Sequence, residues 1–92
     1  MGATSQLNGT SFTLECWFRR DGAGTTASTG SGGLATAIPL VTKGAGEAET
    51  PANLNANYML LLNFSSPNYF LAADFEDNAG GVNHPLVGTT PL

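Results

Sequence analysis

Charges, cysteines and long apolar runs are all scarce in this chain, and each scarcity narrows the possible functions. Charged residues make up 11% of the 92 residues, against about 25% in an ordinary soluble domain. Only three residues are basic, compared with seven acids. The chain therefore has no cationic patch, and neither nucleic acid nor an anionic membrane is an expected partner. A run of about 18 apolar residues, which a membrane-spanning helix requires, does not occur.

Cys16 is the single cysteine, so no disulfide can form within the chain. Its apolar neighbours at alternate positions predict that Cys16 is a small buried core residue. A catalytic thiol would need a histidine within reach, and His84 is distant in the sequence.

Apolar residues at helical spacing are missing over any three turns, while several segments alternate apolar and polar residues with a period of two. The chain is short enough to be a single domain, residues 1–92, with a thin core. Irregular, glycine-rich loops are predicted at 21–33 and 45–55. The alternation predicts strands at 11–20, 58–64 and 69–76, and short stretches of β-forming residues predict two more within 34–44 and 84–90. Strands without intervening helices favour an all-β antiparallel architecture.

Two details of these strands can be predicted further. Pro39 cannot donate a hydrogen bond to a neighbouring strand, so its strand is expected to lie at a sheet edge, to begin near Pro39 or to carry a bulge there. The runs 58–64 and 69–76 form an antiparallel hairpin across a four-residue "SSPN" connection.

The order of five motifs, "FTLECWFRR", "IPLVTKG", "NYMLLLN", "YFLAADFED" and "NHPLVGTT", resembles the N-terminal portion of a laminin-G-like domain of the concanavalin A-like lectin and glucanase superfamily. The resemblance implies an antiparallel jelly-roll or β-sandwich and a secreted or cell-surface parent protein. It also implies a non-enzymatic module that binds carbohydrate or another protein in adhesion. Family domains are roughly twice as long as this chain and continue beyond the "GTT" motif with further strands. This departure predicts a partial, half-sandwich domain.

The apolar strand 58–64 raises the question of what covers it in so short a chain. If the remaining strands of a sandwich normally pack on it, their absence leaves an apolar face and unpaired edges. We therefore expect the chain to associate with itself, as a homodimer or larger homo-oligomer.

Acidic residues are most concentrated in "ADFEDN", near a strand end. Asp74 and Glu76 project to the same strand face, and Asp77 and Asn78 follow them. Together with Asn83 these side chains supply hard oxygen ligands, which predicts a calcium site formed by Asp74, Glu76, Asp77 and Asn78. The alternative is that they are solvated strand-end acids that discourage edge aggregation.

Three interpretations of function remain open. Trp17, with Asp74 and Glu76, is the candidate ligand-binding set of a binding module, because aromatic faces stack on sugars. A half-domain that self-assembles without any ligand is the second. A glycoside hydrolase using Asp74 and Glu76 is the third, but Ala72 stands where the superfamily's glucanases carry their first acid, and no catalytic residue is assigned.

Overall fold

Four strands, in the order β1-β2-β3-β4, form an antiparallel sheet that is the framework of the described part of the protein. The computed structural model describes residues 7, 9–44, 58–77 and 79–92. The strands are β1 (Ala37–Lys43), β2 (Tyr58–Ser65), β3 (Asn68–Phe75) and β4 (Leu86–Pro91). Within these residues no helix is long and apolar enough to cross a membrane. The predicted all-β antiparallel class is thus confirmed. The second sheet of a sandwich is not formed by the described residues and stays a prediction.

The hairpin β2–β3 lies at the centre of the sheet, and its pairing is continuous from Tyr58 opposite Phe75 to Ser65 opposite Asn68. The sequence predicts this hairpin correctly. Its connection is shorter than predicted, because pairing continues one position further on each side. Only Ser66 and Pro67 remain in the turn, joined by a cis peptide bond.

Strand β1 is an edge strand with an irregularity at the proline. Pro39 pairs with Leu61, while the next pair is Val41 with Leu60, so Leu40 is the extra residue of a bulge. This confirms the expected effect of Pro39. The predicted loop 21–33 contains no strand, but Ala27 makes an isolated bridge to Ala37. The predicted loop 45–55 lies outside the described residues.

One face of the sheet, called here the loop face, carries the core. Its buried apolar residues are Ala37, Met59, Leu61 and Ala72, and Leu34 packs against them from the loop before β1. Leu61 is 0% exposed. The expectation that β2 lacks cover from its own chain is therefore wrong for Met59 and Leu61. The loop is rich in glycine, and small residues allow it to approach the strands closely.

The opposite face is partly crossed by the N-terminal segment, residues 11–24. Its Phe12 ring lies 4.4 Å from the ring of Tyr58, and the Arg20 guanidinium lies 3.5 Å above the ring of Tyr69. No strand is assigned within 11–20, so the strand predicted there is wrong. The segment crosses the sheet face instead of lying beside an edge strand. A segment with alternating apolar and polar residues becomes a strand only where its backbone can hydrogen-bond to a neighbouring strand.

The other half of this face, over β3 and β4, is left largely exposed by the described residues, with only the His84 ring stacked on Phe75. Leu71, Ala73 and Phe75 project from β3, and Leu86 lies opposite Ala73 on β4. All four side chains are exposed, Leu86 to 74%. We call these four residues the open patch. Apolar surface without cover is thus found on β3 and β4, rather than on β2.

Candidate functional site

Asp74 is the acidic residue that the fold places in the least expected environment. It stands opposite Met59 in the β2–β3 pairing, so its side chain projects to the loop face beside the core. The residue is only 2% exposed. The interpretation of Asp74 as a solvated strand-end acid is therefore wrong. Its strand position is as predicted, but a loop distant in the sequence covers it.

The covering loop is a tight turn built around Thr29 and Gly33. The backbone N–H of Thr29 donates to the carbonyl of Leu34 at 2.9 Å, and the N–H of Leu34 donates to the Thr29 hydroxyl oxygen at 2.6 Å. The N–H of Gly33 donates to the carbonyl of Gly30 at 3.0 Å. Thr29 is itself 2% exposed, so its hydroxyl points into the protein and not into solvent.

Gly33 brings this loop against the acid. A Cβ atom at Gly33 would stand 3.0 Å from the Oδ2 of Asp74, 3.0 Å from the Cβ of Asn83 and in contact with the Oγ1 of Thr29. No other residue type leaves room for the three neighbouring side chains. We call Thr29, Gly33, Asp74 and Asn83 the oxygen cradle.

Asn83 completes the cradle from the segment before β4. Its backbone N–H donates to the carbonyl of Ser31 at 2.8 Å, and it bridges to Glu76 across the end of the sheet. Asn83 is 4% exposed. In the described part of the chain, neither carboxylate oxygen of Asp74 nor the Oδ1 of Asn83 has a hydrogen-bond partner. Such buried oxygens are costly unless something satisfies them.

Asp77, unlike Asp74, has hydrogen-bond partners for both of its carboxylate oxygens. Its Oδ1 accepts hydrogen bonds from the N–H groups of Ala79 and Gly80, at 3.0 and 2.6 Å, and its Oδ2 lies 2.9 Å from the Nε2 of His84. The bond from Gly80 first, and that from His84 second, hold the pKa of the Asp77 carboxyl below its ordinary value. Asp77 therefore closes the turn after β3.

The four predicted calcium ligands are thus dispersed. Asp74 is buried, Glu76 is half-buried at the bridge to Asn83, and Asp77 is engaged in its turn. Asn78 lies outside the described residues. Among the residues described, no group of three or more His, Cys, Asp or Glu side chains could hold a metal ion. Thr29 and Asn83 are the polar residues that the structure brings beside Asp74.

Trp17 and Cys16 lie in the N-terminal segment, away from the cradle. Trp17 is fully exposed, and so is available to a ligand. Cys16 is also exposed, so the prediction of a buried core cysteine is wrong. The exposure of both residues has the same cause. A period-two pattern buries one set of side chains only where a second layer packs on the strand.

A groove of about 590 Å³ runs between this segment and the sheet, lined in part by Phe18, Arg20, Asp21 and Tyr69. The face of the Tyr69 ring is occupied by Arg20, and its other neighbour is Phe64, with ring centroids 4.7 Å apart. Tyr69 consequently does not offer a free aromatic face for a sugar.

The open patch was missed as a candidate site by sequence reasoning. The alternation in 69–76 does predict that Leu71, Ala73 and Phe75 share a face, but Leu86 joins them only through the pairing of β3 with β4. No protein-family model, curated protein or solved structure matches this chain. The arguments on function below therefore depend on the geometry of the cradle, the open patch and Trp17.

Proposed function

We propose that this chain is a non-enzymatic binding module that recognises a protein partner through the open patch. The observation that carries this proposal is the exposure of Leu71, Phe75 and Leu86, at 45%, 53% and 74%, on one contiguous half of a sheet face. Large apolar side chains grouped in this way mark interaction surfaces. Covering them contributes on the order of 3–5 kcal/mol before the costs of association.

The charges of this chain predict which residues surround the apolar centre of the partner's binding surface. The net charge is −4, and Glu76 and Asp77 follow directly after Phe75 at the end of β3. Of the basic residues, Arg19 pairs with Asp21 and Lys43 is buried. A complementary partner therefore presents an apolar centre with Lys or Arg around it. The laminin-G-like resemblance, which implies an adhesion module of a secreted or surface protein, agrees with a protein ligand.

The experiment is selection of a displayed random peptide library on the immobilised chain. Peptides that combine aromatic or aliphatic residues with Lys or Arg are expected to be enriched. Their binding should fall at least tenfold on Leu86→Glu, because that substitution places a charge in the centre of the open patch without disturbing a buried contact. Trp17→Glu is the matched control, since Trp17 is also a large, exposed apolar residue but lies in the N-terminal segment.

Two results would contradict the proposal. One is the absence of any enriched peptide that binds the wild-type chain better than Leu86→Glu. The other is equal loss of binding in Leu86→Glu and Trp17→Glu, which would indicate nonspecific apolar adhesion. Circular dichroism on each variant shows whether its fold is retained.

A second candidate function is carbohydrate recognition at Trp17. It is favoured by one observation, the complete exposure of the indole, beside which Glu15 supplies a hydrogen-bonding carboxylate. A glycan array is the test, with Trp17→Ala expected to abolish binding and Leu86→Glu expected to retain it. We do not propose a glycoside hydrolase, because a glycan would have to reach Asp74 beneath the Thr29–Gly33 loop.

A further inference from the structure

The oxygen cradle contains two polar side chains whose acceptors are buried and unsatisfied. Asp74 contributes both carboxylate oxygens and Asn83 contributes its Oδ1, and none of these three atoms has a hydrogen-bond partner in the described part of the chain. The exposures of the two residues are 2% and 4%. A carboxylate this deeply buried is strongly destabilising unless a cation or a set of hydrogen-bond donors compensates it.

The polar side chains that lie beside Asp74 are those of Thr29 and Asn83, and each of them carries an oxygen acceptor. The Thr29 hydroxyl oxygen accepts the hydrogen bond of the Leu34 N–H and retains a second lone pair. Oδ2 of Asp74 and Oγ1 of Thr29 both border the position of a Gly33 Cβ. The described residues therefore give this space a concentration of acceptors with one formal negative charge.

We propose that the oxygen cradle is a calcium site, with Asp74, the Oδ1 of Asn83 and the Oγ1 of Thr29 as its side-chain ligands. Main-chain carbonyls or water complete the coordination, as calcium accepts six to eight oxygen ligands in a flexible arrangement. Magnesium suits the cradle less well, because it retains most of its water in a strict octahedron. Zinc is a poor fit, since the cradle supplies neither nitrogen nor sulfur.

This site differs from the one predicted at the strand end. It includes Asp74 but replaces Glu76, Asp77 and Asn78 by residues of the covering loop and of the segment before β4. A bound cation would therefore connect three segments that are distant in the sequence: the Thr29–Gly33 loop, β3 and Asn83. Calcium binding is expected to hold the Thr29–Gly33 loop against the buried core. It is not expected to change the opposite face, which carries the open patch.

The test is thermal unfolding and calorimetric titration of the whole chain, first stripped with EDTA and then given calcium chloride. Wild type is expected to release or absorb heat with a stoichiometry of one and to gain on the order of 10 °C in Tm at saturating calcium. Asp74→Asn should lose this response. It should also melt higher than wild type in EDTA, because the amide removes an uncompensated buried charge.

A second pair of variants tests the cradle without changing its charge. Gly33→Ala places a methyl group among Thr29, Asp74 and Asn83 and should abolish the calcium response. Gly22→Ala is the matched control, because a Cβ there meets nothing within 4 Å. Glu76→Gln and Asp77→Asn should retain the calcium response of wild type.

Three outcomes would overturn the proposal. The first is a wild type without heat or Tm shift, which would mean that buried water satisfies the cradle. The second is an equal shift with magnesium or with potassium chloride of the same ionic strength. The third is a calcium response that survives in Asp74→Asn, and its loss in Asp77→Asn would then assign calcium to the strand end.

Discussion

The Nε2 atom of His84 lies 2.9 Å from the Oδ2 atom of Asp77, on the two sides of the turn that joins β3 to β4. The same imidazole stacks on Phe75, with ring centroids 4.8 Å apart and an interplanar angle of 23°. Asp77 thus connects the turn to His84, and His84 covers one side of Phe75. One end of the open patch is fixed by this arrangement.

Asp77 should make the stability of the protein sensitive to acid. Its folded pKa lies below the ordinary value of 3.8, first because of the Gly80 N–H and then because of His84. A depressed folded pKa gives stabilisation that is present above the unfolded pKa and is lost as pH falls through the folded pKa. Asp77→Ala should therefore lower Tm at pH 7, and the difference from wild type should shrink towards about pH 2. Thermal unfolding followed by circular dichroism at each pH measures it. A difference that is the same at both pH values would contradict the assignment.

Leu61 should be the most sensitive apolar position of the sheet. It is fully buried between the covering loop and its neighbours on the loop face. Leu61→Ala is expected to cost about 2–5 kcal/mol of unfolding free energy, through lost burial and the cavity left behind. Leu86→Ala, at an exposed position on β4, should cost less than about 0.5 kcal/mol. Urea titration of both variants gives the comparison, and equal costs would show that Leu61 is not in the core.

Cys16 distinguishes the exposed N-terminal segment from the half-buried strand that the alternation predicts. Because Cys16 is exposed, a thiol reagent such as DTNB is expected to label it in the native protein nearly as fast as in urea. A strand with Phe12, Cys16 and Phe18 buried would slow native labelling by orders of magnitude. The rate is followed by absorbance, and protection at Cys16 would mean that residues 11–20 pack as a strand.

In the absence of a partner protein, the open patch should also pair weakly with a second copy. The net charge of −4 opposes this contact, so light scattering should show a mass that rises with protein concentration and more strongly in about 0.5 M salt. Leu86→Glu should remain monomeric under the same conditions, while Trp17→Glu should behave as wild type. A constant monomer mass for wild type at every salt concentration would exclude self-association through the patch.

Local rules predicted the sheet well because its determinants are local. Period-two alternation located β2 and β3, apolar β-forming residues located β1 and β4, and the missing N–H of Pro39 predicted an edge strand or a bulge, both of which are found. The same alternation failed for residues 11–20, since it reports only which side chains share a face. Whether a segment becomes a strand depends on a free edge beside it, and the edge is a property of the whole fold.

The cradle was only partly predictable, for a similar reason. Asp74 and Asn83 were both recognised as oxygen ligands near one end of the sheet. Their burial depends on Gly33, whose loop has a composition that suggests flexibility. A glycine-rich segment can equally be one that packs closely, and only its contacts with Thr29 and Asp74 decide between the two.

The two margins of the sheet are unequal. Outside β1, the backbone of Ala27 exchanges hydrogen bonds with Ala37 at 2.8 and 3.0 Å, and Pro39 offers no N–H. In the described residues, the outer side of β1 is thus obstructed at Ala37 and Pro39, whereas the outer side of β4 carries no paired strand. If two copies paired β4 with β4, the outer sides of both β4 strands would be occupied. Further addition by strand pairing would then have to use the outer side of β1, where the Ala27 bridge and Pro39 oppose it.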